Sequence, residues 1–429
     1  MHTYAETLDF LYQRLPMFTK VGASAFKKDL HNTIALLELN DNPHHRFKSV
    51  HVAGTNGKGS SSHMLAAIFQ QAGYKTGLYT SPHLLDFRER IRINGQMISE
   101  AFVIDFTEKM RMHLDTISPS FFELTVAMAF AYFAAEQVDI AIIETGLGGR
   151  LDSTNVIRPE LSLITNISYD HKNLLGETLA EIAAEKAGII KAGVPAVISE
   201  TQTDIKYIFE QKAAAENAPL HFADQEWMAD GSRISLSQLE LTLLDTRQQQ
   251  MHHFKLDLSG QYQEKNVMGV LSAIKILQQR GWHITQEHIH AGLSHVKKLT
   301  GLRGRWDVVN EHPLTVLDVG HNEAGIIEIM QQLKHVNYQQ LHIVAGFVKD
   351  KEVEKVLPLF PSTAHYYFCK AQIPRALDEV TLAEMGAACG LEGRAYATVQ
   401  EALQAAKQHA HPDDMILICG SFFIVAEAM

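Results

Sequence analysis

The chain is predicted to fold as two α/β units, each built on a largely parallel sheet, and three observations carry that prediction. Short runs rich in Val, Ile and Leu alternate with helical segments along most of the sequence, the rhythm of strand, crossover helix and parallel strand. The length of 429 residues, at roughly 150 per domain, leaves room for two or three separate cores. Near residue 299 the pattern is interrupted by Leu299 to Arg305, where glycines and basic residues read as a hinge. The expected units are therefore residues 1–298 and 299–429.

The elements follow in order. The first forty-odd residues read as amphipathic helices, with Leu30, Ile34, Leu37 and Leu39 near one face, and end in the turn Asn40-Asp41-Asn42-Pro43. From Ser49 the chain becomes strand (Val50 to Val52), glycine turn (Gly54 to Gly59) and helix (Ser60 to Ala72). Further strands are expected at Val138 to Ile143, Leu161 to Ile164 and Val194 to Ile198, in a parallel sheet buried on both faces. Residues 221–259 alternate instead, notably Ile234 to Leu244, and suggest a small antiparallel addition. A helix at Asn266 to Arg280 restores the α/β pattern. Beyond the hinge, strands are expected at Thr315 to Val319, Leu341 to Ala345, Tyr366 to Cys369 and Met415 to Cys419.

Composition excludes several classes. With 46% apolar and 20% charged residues the chain is globular rather than disordered or fibrous. Its longest apolar stretch, Leu124 to Ala135, is too short to span a bilayer, so no membrane association is expected. The acid-containing N-terminus does not read as a secretion signal, and a cytoplasmic location follows. Cys369, Cys389 and Cys419 form no CxxC pair and are expected to be buried reduced thiols. A net charge of −11 argues against nucleic acid as a partner. Anionic ligands would need local positive charge, which gathers near glycines at Lys58, Arg88/Arg90 and Arg303/Arg305.

The segment Gly54-Thr55-Asn56-Gly57-Lys58-Gly59-Ser60 follows a strand and opens a helix. In that context glycines let backbone N–H groups close on phosphate oxygens, a lysine neutralises them, and Ser60 can offer a hydroxyl to Mg²⁺. A plain strand-to-helix turn would need one glycine, not three with a lysine and a serine. The spacing is not the common G-x-x-x-x-G-K-[ST]: two residues separate Gly54 from Gly57, and Gly59 intervenes before Ser60.

That form resembles the nucleotide loop of the Mur ligase superfamily, in its folylpolyglutamate synthase/dihydrofolate synthase branch. Other segments match along the chain: Thr80-Ser81-Pro82-His83-Leu84 with Phe87-Arg88-Glu89-Arg90-Ile91, Glu144 to Asn155, Tyr169-Asp170-His171, Glu185 to Lys191, Tyr262 to Asn266, Gly304-Arg305-Trp306, Leu317 to Asn322, Lys349-Asp350-Lys351, Pro374-Arg375-Ala376 and Cys419-Gly420-Ser421. Gly320 departs from the family's frequent alanine.

The resemblance implies a P-loop NTPase-like ATPase domain followed by a smaller Rossmann-like domain. It implies ATP on Gly54 to Ser60, with Gln263 and Asn266 toward adenine, Arg305 on phosphate, Asp318 on ribose and His321 close by. Two Mg²⁺ ions would involve Ser60, Ser81, Glu144 and His171. Lys186 would be carbamylated; by its own surroundings it is a lysine that desolvation could hold neutral, or one that snorkels to solvent. Ser120, Phe122, Asp152 and Ser153 correspond to pterin-contacting positions. Phe122 could equally begin the buried helix, which is the favoured reading for Phe121. Val21 to Leu30 is a candidate cover for the pteroate pocket.

The activity implied is ATP-dependent ligation of L-glutamate to dihydropteroate, to the γ-carboxylate of a folate, or to both, by a monomer, with Lys58, Lys186 and His321 as catalytic candidates. A cell-wall amino-acid ligase would need a further N-terminal domain, for which the loop at Gly54 leaves no room. A phosphate-loop kinase or a nucleotide-switched binding protein is the reading from another class.

Overall fold

The computed structural model describes residues 3–17, 22, 27, 29–349 and 351–429. Its first sheet has eight strands: β1 (Lys48–Ala53), β2 (Thr76–Tyr79), β3 (Ile91–Ile93), β4 (Gln96–Met97), β5 (Ile140–Glu144), β6 (Leu161–Ile164), β7 (Ala196–Ile198) and β8 (Leu220–Phe222). They are ordered β4-β3-β2-β5-β1-β6-β7-β8. The six strands from β2 to β8 in that order are parallel, but β3 and β4 run antiparallel at one edge. The sheet expected to be parallel is mixed at that edge: Asn94-Gly95 is a two-residue hairpin turn, which reverses the chain too tightly for a crossover helix.

Strand β1 buries every residue after Lys48 and stands at the middle of the sheet. The helix Lys58–Gln71 that leaves it is buried without interruption from Gly59 to Phe69, because it lies between the sheet and the helices Gln263–Gln279 and Gln286–Ser294. The apolar helix Phe121–Ala135 covers the opposite side of the sheet. Its start is set by a capping box, in which Ser120 and Glu123 satisfy each other's backbone N–H.

The N-terminal helices are Tyr4–Arg14 and His31–Glu38. The second presents a different face from the expected one: Leu36 and Leu37 are fully buried, whereas Ile34 is 45% and Leu39 38% exposed. Packing on the helix Phe121–Ala135 selects the Leu36/Leu37 side. Most of Val21 to Leu30 lies outside the described residues, as does Asp350.

The expected antiparallel addition is a three-stranded sheet of β9 (Trp227–Ile234), β10 (Leu239–Asp245) and β11 (Gln250–Leu256). Alternation along Ile234 to Leu244 spans two strands, because the chain turns between them, where Ser235 N–H donates to Gln238 O at 2.8 Å. The segment expected to be a hinge is partly helical: Val296–Thr300 is a helix, and Gly301 ends it.

The last sheet comprises β12 (Asp307–Glu311), β13 (Leu314–Leu317), β14 (Leu341–Ala345), β15 (His365–Cys369), β16 (Gly393–Tyr396) and β17 (Met415–Cys419). Its order is β12-β13-β17-β14-β15-β16, parallel apart from the β12/β13 edge hairpin. Cys369 and Cys419 are buried in it, but Cys389 is exposed, because it follows the end of the helix Glu379–Ala388 and belongs to no strand. Among the described residues no helix is long and apolar enough to cross a membrane.

A phosphate-loop cleft between the two sheets

The C-terminal ends of β1, β5 and β6 open onto a cleft of roughly 630 Å³ that the last sheet's unit closes from the other side. Ligands of parallel sheets bind at such strand ends. Apart from Gln263, the site residues selected from the sequence meet there: Gly54 to Ser60, Ser81, Ser120, Phe122, Glu144, Asp152, Ser153, His171, Lys186, Asn266, Arg305, Asp318 and His321.

The loop is held by neighbours that leave it little choice of shape. Gly54 stands at φ +148°, where a Cβ would lie 1.8 Å from Thr165 Oγ1; Gly57, at φ +82°, would place one 2.1 Å from Asn266 Oδ1. Both positions therefore require glycine. Thr55 and Asn56 donate their backbone N–H groups to Asn166, each at 2.9 Å. The first amides of the helix Lys58–Gln71 have no partner within the helix and form the anion-binding end. Lys58 Nζ folds back on Gly54 O and Thr55 O, both at 3.1 Å, and burial lowers its pKa, opposed by Glu144.

Ser60 Oγ accepts from Gln263 Nε2 at 3.1 Å, and Gln263 Oε1 accepts from Asn266 at 2.8 Å. Gln263 is fully buried, so it supports the loop from behind instead of reaching a nucleotide. Asn266, 6% exposed, rests on Gly57 at the cleft.

Glu144 ends β5, and its buried carboxylate accepts Ser81 N–H at 3.1 Å. Burial raises its pKa, with Lys58 opposing. No group of three or more His, Cys, Asp or Glu converges on a metal position among the described residues. The donors available are the buried carboxylate of Glu144 and the hydroxyls of Ser60 and Ser81, a set of hard oxygens that fits Mg²⁺ when substrate phosphates and water complete the shell. His171 begins the short helix Lys172–Leu175 at φ +51°. Burial depresses its pKa to about 3, so its ring is neutral and able to donate a lone pair.

Lys186 is 3% exposed and bonds Gly54 O at 2.8 Å. Desolvation, helped by the like charge of Lys58, lowers its pKa to about 7. It does not snorkel to solvent.

On the apolar side Phe121 is core, at 4% exposure, whereas the Phe122 ring lies over Gly146, where a Cβ would meet Cζ at 2.4 Å. Ser120 is engaged as a helix cap. Asp152 holds its own turn, accepting Leu147 N at 2.7 Å and Thr154 N at 3.0 Å.

From the second unit, Arg305 lies over the Phe422 ring at 5.0 Å, and its Nη2 is 3.5 Å from where Gly59 would carry a Cβ. Asp318 is 3% exposed; it accepts Tyr262 Oη at 2.7 Å, Trp306 N at 2.8 Å and Gly320 N at 2.9 Å. His321 Nδ1 is 2.9 Å from Val319 O, and its Nε2 is 3.4 Å from Asp170 Oδ2.

Asp170 was not selected from the sequence, nor were Lys351 and Asn322. Asp170 pairs with Lys351 and accepts Asn322 Nδ2 at 3.3 Å. Burial opposes its ionisation, yet Lys351, His171 and His321 hold its carboxyl well below the usual range. The motif Tyr169-Asp170-His171 marked the place, but only His171 carried an expectation.

This geometry defines a phosphate-loop nucleotide-binding protein of two α/β units. Residues 52–274 match the Mur ligase middle domain and residues 304–422 the Mur ligase glutamate ligase domain. The dihydrofolate synthase/folylpolyglutamate synthase of Bacillus subtilis is 34% identical over 390 residues, covering 87% of this chain and 86% of the relative. The folylpolyglutamate synthase of Lacticaseibacillus casei is 31% identical over 435 residues, covering 99% and 97%. A probable bifunctional folylpolyglutamate synthase/dihydropteroate synthase of Haloferax volcanii is 33% identical, and the chain spans only 50% of its length. Among solved structures, E. coli FolC in complex with DHPP and ADP superposes with TM-score 0.85 at 28% identity, covering 100% of this chain and 97% of that one. The chain belongs to the folylpolyglutamate synthase/dihydrofolate synthase family of Mur ligases.

Proposed function

We propose that this protein is an ATP-dependent ligase that joins L-glutamate to dihydropteroate and to the γ-carboxylate of reduced folates. The observation that carries this reading is that one cleft unites a phosphate loop, a buried carboxylate with hydroxyl neighbours, and an aromatic-lined arm at Phe122. A kinase or nucleotide switch needs the first two; the apolar arm beyond them supplies a seat for a flat ring system. The B. subtilis relative's name and the DHPP in the E. coli structure support a pterin substrate and two activities.

The γ-phosphoryl group passes to the substrate carboxylate, and the amine of glutamate then displaces phosphate from the acyl phosphate to form the amide. The chain's task is placement and charge neutralisation. Lys58 and the loop amides take the terminal phosphates, and Arg305 approaches from the opposite wall beside Gly59. Bound Mg²⁺, held by Ser60, Ser81, Glu144 and His171, would offset phosphate charge as the carboxylate approaches. Asn266 takes adenine, Asp318 with its partner Tyr262 takes ribose, and His321 lies near the transferring group. Asp152, Ser153 and Ser120 border the pterin arm.

Carbamylation of Lys186 would convert an amine that is about half protonated near pH 7 into an anion beside the loop. The proposal takes the protein to act as a monomer in the cytoplasm. The division into 1–298 and 299–429 belongs to the same proposal, with the short helix Val296–Thr300 carrying the join.

The deciding experiment offers dihydropteroate and tetrahydrofolate separately with labelled glutamate and ATP. Incorporation into both acceptors, with ADP release dependent on acceptor and glutamate together, is expected. A phosphorylated product without incorporated glutamate would sink the reading.

A further inference from the structure

We infer that Asp170 is a positioning residue that latches the second unit onto the phosphate loop, with Lys351 as its counter-charge; the catalytic part of this inference rests on the ligase reading above. Asp170 follows β6 at the cleft, and its side chain is only 10% exposed. Apart from His171, the next residue, its side-chain partners all come from across the cleft: Lys351, Asn322 at 3.3 Å and His321 at 3.4 Å. Lys351 is equally enclosed, at 10% exposure, and among the described residues Asp170 is its one ion-pair partner.

The loop that carries Lys351 is anchored in its own unit. Lys349 N donates to Arg375 O at 2.9 Å, and Val348 bridges to Ala376. Each unit therefore presents one buried charge whose compensation lies in the other. Separating the units would leave both charges dependent on water, and removing either partner would leave an uncompensated charge in the closed form. The pair thus favours closure specifically, unlike the nearby Lys172–Glu352 contact, whose partners are 26% and 44% exposed.

The latch reaches the nucleotide through amides. Asn322 exchanges side-chain hydrogen bonds with Asn56 of the phosphate loop at 3.0 and 3.2 Å. It also caps the helix Glu323–Leu333 through Gly325 N–H at 2.8 Å. In the other direction, Asp170 Oδ1 accepts the His171 amide at 2.8 Å and fixes that residue's left-handed backbone. Closure, loop position and the His171 ring are one connected arrangement.

The test uses the full chain with Lys351→Met, Asp170→Asn and the charge-conserving Lys351→Arg. Three quantities are measured: ADP affinity by calorimetry, closure in saturating ADP by solution X-ray scattering, and kcat separately from KM. In Lys351→Met and Asp170→Asn, the closed-to-open ratio and kcat are expected to fall together by roughly tenfold, and ADP affinity, to which Arg305 and Asp318 add only on closure, by no more than that. Lys351→Arg should restore both. A Lys351→Met protein that closes as the parent does would overturn the latch whatever its turnover, and a loss of activity in that case would assign Lys351 to substrate. If the parent closes on ADP but never incorporates glutamate, the ligase reading fails and the scattering result still decides the latch.

Discussion

The two walls of the cleft are ordered by different means. On the first wall the charged groups are held by their own unit's backbone: Lys58 by Gly54 and Thr55, Lys186 by Gly54, Glu144 by Ser81. On the second wall Arg305 rests on Phe422 and Asp318 on Trp306 and Gly320, while Asp318 also takes Tyr262, and His321 and Lys351 complete their contacts, across the cleft. Phosphate binding is therefore built in before closure, and the second wall adds its groups when the units meet.

The comparison is tested most severely at Lys58. Lys58→Ala should lower turnover by about 10³-fold, as removal of a preorganised charge does, with circular dichroism and the melting temperature close to the parent's. Unaltered turnover would refute the phosphate-loop assignment.

Gly57→Ala is expected to cost about 1–3 kcal/mol of strain, since its Cβ would meet Asn266 Oδ1 at 2.1 Å. Calorimetry should show this as weakened ADP binding. Full affinity would mean that the loop is less rigid than the first wall requires.

Lys186 supplies a pH test. Its folded pKa of about 7 lies below the ordinary 10.5. Between those values the unfolded chain keeps a proton that the folded chain lacks, so the uncarbamylated protein should gain stability as pH rises from 7 to 10.5. The slope can reach about 1.4 kcal/mol per pH unit, and it vanishes below 7, where both states are protonated. Denaturant titrations in CO₂-free buffer should show the slope and added bicarbonate should flatten it; indifference to bicarbonate, with unmodified electron density at Lys186, would count against carbamylation.

Phe122→Ala should raise KM for the pterin substrate roughly tenfold by removing ring contact, leaving ADP affinity unchanged. A parallel fall in ADP affinity would show the apolar arm and the phosphate site to be one. The smallest effect is expected at Lys172→Ala, whose pair with Glu352 stands in solvent and is screened by it. A loss comparable to that of Lys351→Met would erase the distinction between buried and exposed contacts across the cleft.

Much of this arrangement was legible beforehand because it is local. A glycine loop between strand and helix, Glu144 at a strand end and a lysine among Ala183, Ala184, Ile189 and Ile190 each announce themselves within a dozen residues. The fold brings them together in one cleft. The edge hairpin β3/β4 was missed because three- and two-residue strands carry almost no periodic signal. The buried face of His31–Glu38 was misjudged because eight residues allow two apolar stripes, and only the neighbouring helix chooses between them.

By itself, then, the sequence determined the α/β plan, the phosphate loop and the family to which the chain belongs, since those rest on contacts between residues close in the chain or on motifs readable in order. Tertiary structure alone decided that Gln263 supports the loop instead of facing a nucleotide, and that Lys186 is shut from solvent. It alone joined Asp170 to Lys351, 181 positions away. A carboxylate and an ammonium so far apart leave no local trace, because their pairing is settled only when two separately folded surfaces exclude the water between them.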